Sequence, residues 1–254
     1  MSLSKPPEPW FVSAFRADYL RVYPHRDLDA ARAEARHLAA EGLLAEPILD
    51  LGAGFGRHTL ALRELGLSTF GVDLSLELLR ASRELKGSEL LRGRLARGDA
   101  RRLPFADGSL RTVLMLFSSF GYFDDEGNRG VLQQLRRTLA PGGRAVLDLM
   151  NPARVRAALV PSSRRQAADF ELSEERRFSG DGRRVIKDVT LRDARGERAW
   201  REDVRLYEPE ELDRLCGEVG FAVERRDGDF GERAFDARSP RQIVWLRRDS
   251  PAAA

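Results

Sequence analysis

The segment Ile48-Leu49-Asp50-Leu51-Gly52-Ala53-Gly54-Phe55-Gly56 constrains this chain more than any other. A short apolar run ends near an acidic residue, and glycines then occupy every second position. Glycine has no Cβ, so it tolerates positive φ and lets the main chain approach a ligand, while the helix that follows presents unpaired N–H groups. The segment therefore predicts a strand-to-helix turn on which a nucleotide-like cofactor lies against bare backbone. A dinucleotide fingerprint would read GxGxxG. Here Arg57 stands where its third glycine belongs, and the spacing is DxGxGxG.

The downstream spacings extend this reading. Leu60, Ala61 and Leu65 fit a helix packed on a sheet, and Gly66 is placed to end it. A short apolar strand at 68–72 runs into Asp73. An acidic residue about 20 positions past the glycines, at the tip of a second strand, suits acceptance of hydrogen bonds from a ribose diol. The competing reading is a helix cap, since Ser75 and Glu77 also look like helix-start residues. Residues 112–117 form an uninterrupted apolar run, as expected of a parallel strand covered on both faces. Val131, Leu132, Leu135 and Leu139 then make a helical stripe, and Pro141-Gly142-Gly143 reads as a turn into a strand at 145–149.

Taken in order, DLGAGFG, Asp73, Gly98-Asp99-Ala100, the strand ending in Ser118-Ser119-Phe120-Gly121-Tyr122-Phe123 and the phrase RRTLAPGGRAVLDL resemble the class I S-adenosylmethionine-dependent methyltransferases. The resemblance covers residues 48–149. It implies an α/β fold with a Rossmann-like, mostly parallel seven-stranded sheet and helices on both faces. It further implies that Asp50, Gly52, Ala53, Gly54 and Gly56 form the turn under the cofactor, with the amino-acid tail near Asp50. Asp73 and Leu74 would adjoin the ribose, Asp99 and Ala100 would take the adenine, and Phe117 would lie beside the cofactor. One departure is Leu110-Arg111-Thr112-Val113, which lacks the aspartate that often opens the fourth strand in this family. That position is far from the strand's carboxyl end.

The rest of the chain divides around this core. Residues 1–44 read as an N-terminal helical lid of two helices, the first carrying Trp10, Phe11, Phe15, Tyr19 and Tyr23. Aromatics at such spacing usually pack, but the resemblance makes Tyr23 or Arg26 a ligand of the cofactor's carboxylate. Residues 45–150 form the cofactor-binding core. Residues 151–207 hold three strand-like runs separated by Ser179-Gly180-Asp181-Gly182 and Asp193-Ala194-Arg195-Gly196, both hairpin signals. They predict a small antiparallel β insertion, serving as a substrate cap or a homodimer contact. Residues 208–254 supply a helix opened by Glu208-Pro209-Glu210-Glu211, two closing strands and a loose tail from Ser250.

Composition excludes several classes. No apolar run approaches the roughly 18 residues of a membrane span, and no signal-peptide core is evident, so a cytoplasmic setting is expected. The single cysteine, Cys216, excludes internal disulfides and a cysteine-rich metal site. Of 43 basic residues only Lys5, Lys86 and Lys187 are lysines, and arginine suits phosphate and nucleic acid. Yet 40 acidic residues are interspersed with them, which argues for a solvated mixed surface rather than a nucleic-acid face.

The expected activity is methyl transfer from S-adenosylmethionine, leaving S-adenosylhomocysteine, to a nitrogen, oxygen or carbon nucleophile of a small molecule by in-line displacement. The lid, SSFGYF and the insertion are similar in arrangement to sugar N-methyltransferases. If the nucleophile needs a base, Tyr122, His25 and Asp148 stand nearest by motif position. The alternatives are a nucleic-acid or protein methyltransferase, disfavoured by SSFGYF in place of an NPPY-like loop, and a cofactor-binding protein without activity.

Overall fold

The computed structural model describes residues 8–231 and 234–249, so the expected loose tail lies outside the described residues. The elements are α1 (Trp10–Ser13), α2 (Asp18–Val22), α3 (Leu28–Ala40), β1 (Ile48–Leu51), α4 (Arg57–Glu64), β2 (Thr69–Asp73), α5 (Leu76–Ala81), β3 (Leu95–Arg97), β4 (Leu110–Met115), α6 (Asp125–Thr138) and β5 (Leu139–Met150). They continue with α7 (Pro152–Ala158), β6 (Ser162–Gln166), β7 (Phe170–Phe178), β8 (Arg184–Asp193), β9 (Gly196–Arg205), α8 (Pro209–Val219), β10 (Phe221–Asp227) and β11 (Arg241–Arg248).

The large sheet has seven strands in the order β10-β11-β5-β4-β1-β2-β3. Strands β1 to β5 are parallel, while β11 runs antiparallel to both β5 and β10. Neighbouring residues of the same strand feed opposite layers, as the two-residue period of a strand requires. Leu49, Val113 and Leu147 pack with α6 and α8 on one face through Leu132, Leu135 and Leu212. Ile48, Leu114 and Val146 pack with α3 and α4 on the other through Leu38 and Leu62. The order of strands reverses between β1 and β4, which opens a crevice at their carboxyl ends, where ligands of such sheets bind.

The second sheet has four antiparallel strands, β6-β7-β8-β9. Three strands were expected here. The run 162–166, SSRRQ, has no apolar alternation, yet β6 pairs with β7 from Ser162–Glu175 to Gln166–Glu171. Helix α7 was also not foreseen; Asn151 caps it by accepting from the Ala153 N–H, and Pro152 occupies its first turn. The N-terminal region forms three helices instead of two. The first expected helix breaks at Ala14–Ala17, and after Tyr23 a new helix starts where Asp27 accepts from the Ala30 N–H at 2.8 Å. Pro141-Gly142-Gly143 is a bulge within β5: Leu139 faces Leu110, but Arg144 already faces Thr112.

The N-terminal helices do not pack on the large sheet alone. Val22 and Tyr23 share an apolar cluster with Phe170, Leu172, Val189 and Leu191 of the second sheet. Around it, Asp18 and Asp193 are bridged by Arg21, Arg195 and Arg198. The second sheet is fixed to the loop after β4, where the Arg205 N–H donates to the Gly121 carbonyl at 2.8 Å and Arg184 donates to that of Phe123 at 2.9 Å. The lid and the insertion thus form one cover over the crevice.

Candidate active site

The glycine turn folds as its sequence requires. Gly52, Gly54 and Gly56 have φ of 80°, 58° and 81°. A Cβ on Gly52 would stand 2.8 Å from Ser119 Cβ, so a side chain there is excluded by space as well as by backbone conformation. Asp73 ends β2 with each carboxylate oxygen accepting one backbone N–H, from Gly54 at 2.8 Å and Ser75 at 2.7 Å. A carboxylate has about four acceptor positions, so Asp73 keeps capacity for two further donors. Burial pushes its pKa up, against the backbone N–H groups of Ser75, Gly54 and Leu74 that favour the charged form. The helix-cap role falls to Ser75, whose hydroxyl accepts from the Leu78 N–H.

These residues line a cavity at the carboxyl ends of β1, β2 and β4. Gly52, Gly54, Asp73, Leu74, Asp99, Ala100 and Phe117 all face it. Asp99 also accepts a forked pair of bonds from Arg101, which holds its carboxyl below the ordinary value. Phe11, Phe15 and Tyr19 of the lid and Tyr122 close the cavity from above. The donor set fits an adenosyl group: a close-approach glycine turn, a carboxylate with free acceptor capacity at the second strand tip, and apolar walls between them.

Phe117 and Ser118 both have positive φ, 59° and 60°, which is uncommon for residues with side chains. Asp148 holds that turn: its Oδ2 accepts from the Phe117 N–H at 2.7 Å, and its carbonyl accepts from the Ser118 N–H at 2.8 Å. Three guanidinium groups surround the Phe117 ring, Arg26 at 4.4 Å, Arg57 at 4.8 Å and Arg241 at 5.0 Å from its centre. Arg241 is paired with Asp148, and Arg57 lies 3.7 Å from Glu34. Arg26 has no carboxylate partner among the described residues, its Nε is buried without a hydrogen bond, and burial pushes its pKa down to about 10.

A second cavity of about 270 Å³ lies between the two sheets and shares Phe15, Phe117 and Tyr122 with the first. Met150, Val155, Leu159, Val185 and Val204 give it apolar walls. Its polar lining is Arg176, Lys187 and Glu202 from the insertion, with Arg26 and Arg241 opposite. Tyr122 stands between the cavities, stacked on Phe15. Burial pushes its phenol pKa up; Arg26 opposes this, while Glu202 and Asp73 add to it.

Several expected site residues lie elsewhere. Asp50 is wholly buried beneath the turn, accepting the Thr59 hydroxyl at 2.7 Å, and Ala53 and Gly56 lie behind the cavity wall. Tyr23 is in the cluster under the insertion, its hydroxyl shared between Glu202 and Lys187, and does not line the first cavity. His25 is exposed on the turn after α2, with its ring against Tyr23, and lines neither cavity. Arg176, Lys187, Glu202 and Arg241 were not singled out from the sequence. The alternation Glu174/Arg176, Val185/Lys187 and Glu202/Val204 on consecutive strands was the available signal, since it places charges on one face of a sheet.

Residues 48–143 match the family model of a methyltransferase domain. Cypemycin N-terminal methyltransferase from a Streptomyces species is 26% identical over 215 residues, 79% of this chain and 82% of its own length. Against a demethylmenaquinone methyltransferase of Deinococcus radiodurans the chain matches only about half of that protein's length. Among solved structures, the CcbJ methyltransferase from Streptomyces caelestis superposes with a TM-score of 0.72 at 24% identity, over 86% of this chain and 94% of that one. S-adenosylmethionine-bound CalS10, an amino pentose methyltransferase from Micromonospora echinaspora, gives 0.61 at 22% identity over 91% and 96%. At these identities the structural likeness is one of fold. Among the described residues no helix is long and apolar enough to cross a membrane.

Proposed function

We propose, from the premise that this chain carries an S-adenosylmethionine-dependent methyltransferase domain, that the first cavity holds the cofactor and the second holds a small-molecule methyl acceptor. The observation that carries this reading is the wall of Phe15, Phe117 and Tyr122 common to both cavities. Two concave spaces meeting at one wall suit the transfer of a group between two bound molecules. An acceptor space of about 270 Å³ suits a small molecule better than a polymer.

The cofactor, when bound, supplies a methyl group already activated by the sulfonium charge. The residues need only position, desolvate and hold charge. Gly52 and Gly54 let the backbone approach, Asp73 accepts from the ribose hydroxyls, and Asp99 and the Ala100 N–H face the adenine. Arg26, which lines the second cavity against the shared Phe117 ring and has no carboxylate partner among the described residues, is our candidate for reaching the carboxylate of the amino-acid tail across that wall. Trp10, Phe15 and the insertion exclude water. Tyr122, held protonated by burial, orients the nucleophile as a hydrogen-bonding partner rather than as a base.

The insertion is an acceptor cap on this reading, because it contributes Arg176, Lys187 and Glu202 to the second cavity. A cytoplasmic setting belongs to the same proposal and suits the lone buried thiol of Cys216. Calorimetric titration with S-adenosylmethionine, S-adenosylhomocysteine and NAD tests the cofactor assignment. Binding of the first two alone is expected. Binding of NAD, or of none of them by folded protein, overturns it.

A further inference from the structure

Across β7, β8 and β9 the residues Arg176, Lys187 and Glu202 are register partners, Arg176 opposite Lys187 and Lys187 opposite Glu202. All three line the second cavity. They form one polar row, about 10 Å from end to end at the strand spacing of a sheet. A row of valines, Val185 and Val204, runs beside it. The two ends differ in sign. Arg176 is backed by Glu174 at 2.5 Å, and Lys187 reaches both Glu202 at 2.9 Å and Glu174 at 3.6 Å. The group is therefore balanced, two cations against two carboxylates, on side chains no more than about a quarter exposed.

Resting on the methyltransferase reading above, we propose that the methyl acceptor is an amine that also carries an anionic group, a carboxylate or a phosphate, laid along this row with its nitrogen at Glu202 and its anion at Arg176. Glu202 is the only carboxylate lining the second cavity among the described residues. Of the three it is the one whose charge bears on Tyr122, the residue that lines both cavities. The chemistry agrees with that placement. The neutral nitrogen gives its lone pair to the new N–C bond, the C–S pair stays on sulfur, and the positive charge passes from sulfur to nitrogen. A carboxylate beside the nitrogen stabilises that charge as it develops, and the proton then leaves to water by way of Glu202.

A hydroxyl acceptor would have to give up its proton to a base as it attacks, and Glu202 is already ion-paired with Lys187 and hydrogen-bonded by the Tyr23 hydroxyl. An acceptor with a single charge would displace one member of a balanced row and leave its partner buried and unpaired, which is costly. An acceptor carrying both signs exchanges with the internal pairs at no such cost.

The test is a matched panel with purified protein and S-adenosylmethionine, followed by mass spectrometry of the products. L-leucine and glucosamine 6-phosphate carry both groups; isoamylamine and glucosamine lack the anion; 2-hydroxyisocaproate lacks the amine. The expected result is N-methylation of leucine or of glucosamine 6-phosphate, the pair separating a carboxylate from a phosphate source. Loss of either group should lower kcat/KM by about 100-fold or more, the scale for unpairing a buried charge. Arg176→Gln should raise KM for the charged acceptor, and Glu202→Gln should lower kcat, both with cofactor affinity unchanged by calorimetry. Equal turnover of isoamylamine, glucosamine or the hydroxy acid overturns the proposal even if a variant fails to fold. So does the absence of turnover of both charged amines while the cofactor binds. Failure to bind the cofactor overturns instead the reading on which it rests.

Discussion

Arg241 grips the carboxylate of Asp148 with two prongs, Nε to Oδ1 at 2.7 Å and Nη2 to Oδ2 at 2.6 Å, across the junction of β11 and β5. Oδ2 also accepts the Phe117 N–H. This occupancy corrects the sequence-based candidacy of Asp148 as a base: its oxygens already hold the left-handed turn at Phe117 and Ser118 in place. Asp148→Ala should cost about 2–4 kcal/mol, because Arg241 loses the one carboxylate it is paired with among the described residues while the strained turn loses an acceptor. Urea unfolding measures this. A change under about 0.5 kcal/mol would show that the turn holds itself.

Asp73→Ala should lower S-adenosylmethionine affinity by about 100-fold or more in a protein that still folds, since it removes a buried charged acceptor. The pH dependence has a definite sign. Burial raises the Asp73 pKa, so in the free protein the ionised form is disfavoured and stability declines as pH rises from the ordinary aspartate value towards the raised one. Cofactor binding runs the other way, because protonation removes an acceptor. Affinity should be flat at high pH and fall as pH drops through a midpoint above the ordinary aspartate range, and Asp73→Ala should abolish that step in a titration series.

Gly121→Ala tests the attachment of the cover to the core. Gly121 has φ of 102°, and a Cβ there would stand 2.9 Å from the Arg205 carbonyl oxygen. Strain and the close approach together should cost about 2–3 kcal/mol. Cofactor affinity should fall with it, because Tyr122 is the next residue. An unchanged melting temperature would mean that β9 can shift without consequence.

His25→Ala should leave turnover within about 2-fold, as expected of an exposed side chain outside both cavities. Tyr122→Phe should lower kcat more than it alters cofactor affinity. A large loss in the histidine variant with none in the tyrosine variant would reverse the two assignments.

Hydrogen exchange at α2 against pH tests the arginine cluster. Burial alone would raise the Asp18 pKa, but Arg198, Arg21 and Arg195 outweigh it and hold the carboxyl below its ordinary value. The Arg198 and Arg21 guanidiniums likewise hold Asp193 well below the usual range. For a depressed carboxyl the stabilisation is full above the unfolded pKa of about 4 and is lost as pH falls below it. Protection of α2 should therefore be constant from neutral pH to about 4 and decline beneath that. Loss of protection near pH 6 would place its control in a different group.

The residues that line the first cavity were legible because close approach and sheet topology leave a local signature. Gly52, Gly54 and Asp73 lie a few residues from strand ends, so spacing alone could place them. The second cavity was not legible in the same way. Arg176, Lys187 and Glu202 become neighbours only through strand register, and SSRRQ pairs as β6 without any apolar pattern to announce it. Tyr23 misled because an aromatic at that spacing fits either a cofactor wall or an apolar cluster. Its neighbours Phe170 and Leu172, remote in sequence, decided between them. Arg57 was noticed only as a missing glycine, although its guanidinium lies against Phe117.

The cover is assembled from distant parts of the chain: Arg21 and Asp193 are 172 positions apart. Helices of four and five residues, such as α1 and α2, cannot persist alone in water. They can become helical only after the hairpin of β8 and β9 has formed to receive them. During synthesis the glycine turn and the parallel strands β1 to β5 are therefore made while the first aromatic segment still lacks the later strands that receive it. Competence to enclose a ligand is thus tied to the two ends of this contact staying together, and the short helices, with the least support of their own, are expected to open at a lower free energy than the sheet.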